Sequence, residues 1–274
     1  MKKFNNGRIA LLEARMSGEM AGLIKRYGGQ PYSVPAVREV PVDSSAQVAT
    51  FIDHLVEQRL RVVVCFTGVG VTALFREAER LGRLPTLLEI LQKTTVVCRG
   101  PKPVAVLKRY QIPIAASAQE PHTTNELLEV LRPLDLQGKG VGIVHYGERN
   151  AQVIEALQQK GAYAEELCLY EWQLPEDITP LQTLVRELLA QNVAAVVFTS
   201  QVQVRHLFQI ATDLHASQEL IQALNNKTIV ASVGPTCTGV LYNFGVTPDV
   251  EPEHPKMGHL VKALFEYIHT SSSP

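Results

Sequence analysis

The sequence contains one internal repeat, and this repeat restricts the possible folds more than any other feature. Three separate blocks align with later blocks: residues 93–102 with 227–236, 65–68 with 197–200, and 127–131 with 260–264. Their offsets are 134, 132 and 133 positions, so the three blocks agree to within two residues. A fixed period of this kind indicates that one structural plan occurs twice.

A looser match, of residues 8–37 with 141–170, extends the repeat to the start of each copy. Each segment begins with a short apolar strand and continues with an amphipathic helix, at Glu19–Tyr27 and at Ala151–Lys160. Glycines then end the helix before a second strand. Each copy therefore alternates strands and helices four times, which is typical of parallel sheets with right-handed crossovers. We predict an α/β fold with two similar, doubly wound parallel-sheet lobes.

The composition is that of a globular protein, with 46% hydrophobic and 19% charged residues among 274. The longest apolar runs, at 62–66 and 193–198, are far shorter than the roughly 18 residues of a membrane-spanning helix. The first seven residues lack the apolar core of a secretory signal, so a cytoplasmic location is expected. A net charge of −1 argues against nucleic acid as a partner.

Cysteine and histidine give no metal-binding pattern. The four cysteines lie apart without a Cys-x-x-Cys pair, which indicates buried reduced thiols. His254 and His259 are the closest histidines, and a spacing of five does not put both on one helical face. His206 and His215 are expected on helix surfaces. The dinucleotide fingerprint, the P-loop and the Gly-x-Ser-x-Gly elbow are also missing from the sequence.

Ligands of open parallel sheets bind beyond the carboxyl ends of the strands. The loops expected there are residues 12–15, 66–70, 99–102, 145–149, 198–201 and 233–236. Glycine permits close approach to the backbone, and proline in the first helical turn leaves the neighbouring N–H groups beside Lys102 and Thr236 facing an anion. The alternative is that Gly-Pro-Thr simply starts a helix.

Four cations fall in these loops: Arg15, Arg99, Lys102 and Arg149. If they converge, they can hold a polyanionic ligand through charge-assisted hydrogen bonds. Taken singly, a cation in such a loop is more often a solvated surface charge.

The arrangement resembles the uroporphyrinogen-III synthase family. The matching segments are the Arg15 loop, Phe-Thr-Gly at 66–68, Phe-Thr-Ser at 198–200, the strand that ends in Tyr170, Val-Gly-Pro-Thr at 233–236 with Gly245-Val246, and Pro255-Lys256-Met257. Their order and spacing cover nearly the whole chain.

The resemblance implies a discontinuous lobe of residues 1–37 plus 174–274, a second lobe of 38–173, and extended crossing segments near 35–41 and 169–175 around a cleft. It also implies cyclisation of hydroxymethylbilane with inversion of ring D through a spiro intermediate, without a cofactor or metal. Such an enzyme acts mainly by positioning and electrostatics.

By the same matching, Tyr170 is the candidate proton donor to the departing hydroxyl. The substrate-binding set expected from the loops and the resemblance is Arg15, Thr67, Gly68, Arg99, Gly100, Lys102, Tyr146, Gly147, Arg149, Thr199, Ser200, Gly234, Pro235, Thr236 and Lys256. The expected partners are this polycarboxylate substrate and the preceding pathway enzyme, and the expected assembly is a monomer.

Two other functions remain open at this point. A non-catalytic two-lobed binding or sensory protein for a small anionic metabolite would use the same cleft. A nucleotide-dependent α/β enzyme is a further alternative, which the missing phosphate-binding motifs disfavour.

Overall fold

Strand pairing joins early and late parts of the chain. The computed structural model describes Lys2, residues 7–145, Gly147 and residues 149–272. The chain divides into two units, one of Met1–Arg38 with Gln173–Pro274 and one of Glu39–Trp172. Each unit contains its own parallel sheet.

Unit 1 has a four-stranded sheet in the order β11-β10-β1-β2. Its elements are β1 (Arg8–Leu11), α1 (Ser17–Arg26), β2 (Gln30–Ser33), α8 (Thr179–Leu189), β10 (Val193–Phe198), α9 (Gln201–Asp213), α10 (Ser217–Asn226), β11 (Ile229–Ser232), α11 (Pro235–Asn243) and α12 (Met257–Ser272). Ile9 and Leu11 pack with α1 and α12 in one buried cluster. The alternate residue Ala10 is also fully buried, so the sheet is covered on both faces.

Unit 2 has a five-stranded sheet in the order β6-β5-β4-β7-β8. Its elements are α2 (Ser45–Val56), β4 (Leu60–Cys65), α3 (Gly68–Arg80), α4 (Leu84–Leu91), β5 (Thr95–Cys98), α5 (Pro101–Arg109), β6 (Ala116–Ser117), α6 (Thr124–Leu131), β7 (Gly140–Val144), α7 (Ala151–Gln159) and β8 (Tyr163–Leu167). Val63 and Cys65 pack among residues of α2, α3 and α4, whereas Val62 and Val64 pack among residues of α6 and α7. Two faces covered by helices make this sheet doubly wound.

Two further strands, β3 (Arg38–Pro41) and β9 (Tyr170–Gln173), pair as a small sheet of their own. They contain the two positions at which the chain passes between the units.

The structure extends the repeat beyond what the sequence analysis found. The pairing Val97↔Ala116 between β5 and β6 has a counterpart in the bridge Ala231↔Val250, and both members lie 134 positions later (231 − 97 and 250 − 116). The helices α4 and α10 also correspond, although the sequence predicts a single helix between the neighbouring strands. A one-residue reversal at Gly82 (φ +69°) separates α3 from α4, and so short a break leaves little trace in the sequence.

Left-handed residues end equivalent helices in the two copies. The pairs are Gly28 with Gly161, Gln58 with Gln191, Gly82 with His215, and Gln111 with Gly245, all with φ between +53° and +83°. Glycine adopts this conformation without strain, whereas a residue with a Cβ is destabilised there by about 1–2 kcal/mol. The left-handed backbone conformation is therefore the same in both copies of the repeat, even where one copy or both lack glycine.

Replacing Gln58 by glycine should stabilise unit 2. Relief of the left-handed strain at φ +61° exceeds the added flexibility of glycine in the unfolded chain, so we expect a gain of about 0.5–1 kcal/mol. The matched control is Gln92→Gly at the end of α4, where φ is −65° and the same change should cost about 0.5–1 kcal/mol. Urea unfolding measures both, and equal effects of the two substitutions would contradict this account.

Candidate functional site

Thr67 and Tyr170, which the sequence analysis selected from distant segments, meet at the carboxyl ends of the unit 2 strands. Thr67 follows β4 and caps α3, since its hydroxyl oxygen accepts a hydrogen bond from the Gly70 N–H at 3.0 Å. The same oxygen lies 3.1 Å from the Tyr170 hydroxyl. Tyr170 is only 2% exposed and meets Trp172 edge to face. The partly buried Thr67 therefore lies nearer to solvent than the tyrosine behind it.

Two glycines of this edge are required by close packing of the protein itself. A Cβ on Gly68 would lie 2.9 Å from the Lys102 carbonyl oxygen, and one on Gly70 would lie 2.8 Å from the His145 carbonyl oxygen. The segments that follow β4, β5 and β7 are therefore in close contact. The sequence predicts that Gly68 lets a ligand approach, whereas the structure gives this glycine a contact with the neighbouring loop.

The loop after β5 brings a cation over an aromatic ring. The guanidinium carbon of Arg99 lies 5.3 Å from the ring centre of Phe66. Gly100, in extended backbone, lies against His122, and Lys102 is exposed in the first turn of α5. Arg99 and Lys102 therefore place positive charge at this edge.

The loop after β7 contains a network that the sequence analysis missed. The His145 ring is completely buried, stacks on Phe66 at 5.6 Å, and its Nε2 lies 2.8 Å from a carboxylate oxygen of Glu166. Glu166 also accepts two hydrogen bonds from the Arg149 guanidinium, one of them at 2.9 Å from Nε. Arg149 is therefore held by an acidic partner. A polar residue at the end of an apolar strand, as His145 is after β7, is the signal from which the sequence could have identified this network.

Two other residues of the loop after β7, Tyr146 and Gly147, were predicted to bind substrate. Gly147 has φ +88°, and a Cβ there would lie 2.7 Å from the Trp172 ring. Tyr146, also predicted to bind substrate, lies outside the described residues.

The network shifts two pKa values. Burial lowers the pKa of His145 below its ordinary value, against the opposing effect of Glu166. Hydrogen bonds from Arg149 lower the pKa of Glu166. His145 is therefore neutral. Its Nε2–H donates a hydrogen bond to Glu166, and its buried Nδ1 has no hydrogen-bond partner in the described part of the chain.

At the carboxyl ends of the unit 1 strands, Thr199 makes internal hydrogen bonds. Its backbone N–H donates to the Gln203 side chain at 2.8 Å, and its hydroxyl donates to Glu13. Gln203 also donates to the Thr199 hydroxyl oxygen at 2.8 Å. Thr199 therefore links β10 to the loop after β1, and both of its donors are occupied.

The other predicted residues of unit 1 lie on the same edge. Arg15 is exposed, and its backbone N–H donates to Glu13 at 3.1 Å. Ser200 is the residue before α9 and is partly buried. Glu13 accepts hydrogen bonds from both Arg15 and Thr199, and it was not among the predicted site residues.

The loop after β11 starts α11 with the predicted Gly-Pro-Thr. Gly234 precedes the helix, Pro235 is its first residue, and Thr236 is exposed in its first turn. A Cβ on Gly234 would lie 2.8 Å from Pro255, which precedes the exposed Lys256. The exposed N-terminus of α11 and the lysine nearby suit an anion.

His206, which is predicted from the sequence to lie on a helix surface, is packed inside the protein. It is 9% exposed, and its Nδ1 lies 2.7 Å from the Ala36 carbonyl oxygen. The imidazole binds the extended segment after β2, so the helix face that carries it is a packed one.

The described residues contain no group of three or more His, Cys, Asp or Glu side chains that could hold a metal ion. Cys65, Cys98 and Cys237 are buried free thiols, whereas Cys168 is only partly buried. Within the same residues, no helix combines the length and apolar character needed to cross a membrane.

Acidification should destabilise the fold through His145. Because its pKa is lowered in the folded state, the stabilising contribution is complete above the ordinary imidazole value and is lost as the pH falls below it. We expect the free energy of unfolding to decrease between about pH 7.5 and pH 5.5, a window above that in which Glu166 titrates.

The decrease should be smaller in His145→Phe, whose ring can still stack on Phe66 but cannot be protonated. His215→Asn, at an exposed position, controls for the loss of one histidine and should keep the wild-type slope. Urea unfolding across the pH range measures these slopes, and an unchanged slope in His145→Phe would refute the assignment.

Comparisons with known proteins find similarity over most of the chain. The sequence model of the family described as uroporphyrinogen-III synthase HemD matches residues 18–262. The uncharacterized protein YjjA of Bacillus subtilis (strain 168) is 31% identical over 260 residues, 95% of each chain. A putative uroporphyrinogen-III synthase of Methanothermobacter thermautotrophicus is 27% identical over 250 residues, 90% of this chain and 93% of the relative.

Solved structures of uroporphyrinogen III synthases are also similar to this chain. A mutant uroporphyrinogen III synthase from the extremely thermophilic bacterium Thermus thermophilus matches with a TM-score of 0.78 and 26% identity, over 96% of this chain and 99% of that one. The uroporphyrinogen-III synthetase of Helicobacter pylori 26695 matches with a TM-score of 0.52 and 14% identity, over 97% and 100%, which shows the fold alone. The predicted α/β fold is confirmed, and the chain belongs to the uroporphyrinogen-III synthase family.

Proposed function

We propose that this protein is a uroporphyrinogen-III synthase, which closes hydroxymethylbilane to uroporphyrinogen III with inversion of ring D. The observation that carries the proposal is the family match over residues 18–262. The reaction converts the linear tetrapyrrole into a macrocycle and water. Since no electrons are gained or lost overall, it needs no redox cofactor.

The first step breaks the bond between the terminal CH₂ carbon and its hydroxyl oxygen. Both electrons leave with the oxygen, which takes up a proton and departs as water, and the positive charge remains on the carbon and its pyrrole. We assign the proton to the Thr67–Tyr170 pair, in which the two hydroxyl oxygens are 3.1 Å apart. Because Tyr170 is 2% exposed, its hydroxyl acts through Thr67 or through a water molecule.

The CH₂ carbon of this cation then bonds to the substituted α-carbon of ring D, which gives the spiro intermediate. The older bond from that α-carbon to the bridge of ring C breaks, and the bridge bonds instead to the free α-carbon of ring D, which loses its proton to water. This loss balances the proton taken up by the hydroxyl and closes the macrocycle with ring D inverted. The protein's task in these steps is to hold the chain of pyrroles in one conformation. The acetate and propionate groups of the substrate suit the cations Arg15, Arg99, Lys102 and Lys256 and the helix N-termini at Gly100 and Gly234.

Free hydroxymethylbilane closes by itself to isomer I. Delivery from the preceding enzyme would shorten its lifetime in solution, so that enzyme is the proposed partner. A cytoplasmic monomer, as expected from the sequence, belongs to the same proposal.

Freshly prepared hydroxymethylbilane should give isomer III in the presence of the protein. Chromatographic separation of the oxidised products measures the ratio of isomers III and I. A product that stays isomer I, combined with saturable binding of the substrate, would replace the synthase with the binding-protein alternative.

Tyr170→Phe should lower the rate of isomer III formation by about 10²-fold, a typical loss for one acid group. Thr67→Val should cause a similar loss because it interrupts the pair. Tyr242→Phe is the matched control, since that tyrosine is 56% exposed and distant from the pair in sequence. If Tyr170→Phe and Thr236→Ala both stayed within about twofold of wild type, the site assignment would be wrong.

A further inference from the structure

Glu13 places a negative charge at the carboxyl edge of unit 1 without a cationic partner among the described residues. It follows β1 and is partly buried. Four groups donate to its carboxylate in that part of the chain: the N–H groups of Arg15 and Met16, the Thr199 hydroxyl and the Gln203 amide. All four donors are neutral.

These donors fix the carboxylate in one orientation. Oε1 accepts from the two backbone N–H groups at 3.1 and 3.4 Å, and Oε2 accepts from Thr199 and, at 3.3 Å, from Gln203. Gln203 is only 2% exposed, so one of the donors is itself immobilised by packing. A charge held this firmly needs little reorganisation when a ligand arrives.

The local chemistry disfavours a substrate carboxylate beside Thr199. Both Thr199 donors are occupied, and a second carboxylate next to Glu13 would add like-charge repulsion. A partly buried anion instead attracts an N–H donor or a developing cation. In hydroxymethylbilane the pyrrole N–H groups are donors, and the terminal CH₂-pyrrole becomes cationic when the hydroxyl leaves.

We propose that Glu13 is a catalytic residue that contacts the terminal pyrrole of the substrate and stabilises the positive charge formed when the hydroxyl departs. The inference rests on the proposed function, because it names the part of hydroxymethylbilane that contacts Glu13 in unit 1. The Glu13 carboxylate forms no covalent bond. It accepts the pyrrole N–H in place of one of its two long hydrogen bonds, from Met16 at 3.4 Å or from Gln203 at 3.3 Å, and the new bond strengthens as the ring becomes positive.

A structural role for Glu13 predicts different results. Its bonds to the Arg15 and Met16 N–H groups also support the start of α1, so a purely structural carboxylate would affect stability and have no preference for a charged ligand. The test must therefore measure a preference between two ligands that differ in charge at one position.

Two linear tetrapyrroles, each freshly prepared, supply that comparison. One carries an aminomethyl group in place of the hydroxymethyl group, which is an ammonium cation near neutral pH, and the other carries a methyl group. Calorimetry should show at least tenfold tighter binding of the aminomethyl compound to wild-type protein. Glu13→Gln, which removes the charge and keeps the size, should bind both with similar affinity, and Glu13→Asp should keep part of the preference.

Steady-state kinetics give a second readout. Glu13→Gln should lower kcat for isomer III by at least tenfold and change KM by less than about threefold, because the lost interaction strengthens only as charge develops. The matched control is Glu176→Gln, an exposed carboxylate of the same unit that pairs with Arg38. It should keep both the preference and the rate.

The outcomes separate this inference from the proposed function. Equal affinity of wild-type protein for the two probes would overturn the role of Glu13 even if isomer III is formed, and even if Glu13→Gln fails to fold. An unchanged kcat in a folded Glu13→Gln variant would also overturn it. A clear preference for the cationic probe in a protein that gives only isomer I would support the charge recognition and refute the synthase.

Discussion

Parallel pairing of β1 with β10 and of β4 with β7 is the constraint on which both candidate edges depend. These pairings join segments from different copies of the repeat, with Leu11 beside Val197 and Cys65 beside Val144. Because parallel strands end on the same side of a sheet, the loops that follow them become neighbours. Glu13 therefore reaches Thr199 across 186 positions of sequence, and Gly70 lies against His145.

Much of the fold could be predicted because the repeat and the apolar strands leave clear patterns in the sequence. What could not be predicted depends on short or ambiguous segments. β6 has two residues, and its counterpart is a single bridge at Val250. The left-handed ends at Gln58 and Gln191 are invisible because glutamine carries no conformational signal of the kind that glycine does.

For the candidate site, the sequence identified loops better than it identified contacts. Thr67 and Tyr170 were selected separately, and the structure brings their hydroxyl oxygens to 3.1 Å. Glu13, His145 and Gln203 were missed because each lies in a strand-end or helix pattern that burial alone explains. Their importance comes from hydrogen bonds between strands that are adjacent only after folding.

The charges on the unit 1 edge suit the proposed chemistry. This edge carries the exposed cations Arg15 and Lys256 and also holds the Glu13 carboxylate among neutral donors. A ligand that carried only carboxylates would gain nothing from Glu13. A tetrapyrrole presents carboxylates on its ring carbons and N–H groups on its nitrogens, and it becomes cationic at one end during reaction. A fixed anion therefore favours the charge-separated state over the neutral substrate, and this difference is what lowers a barrier.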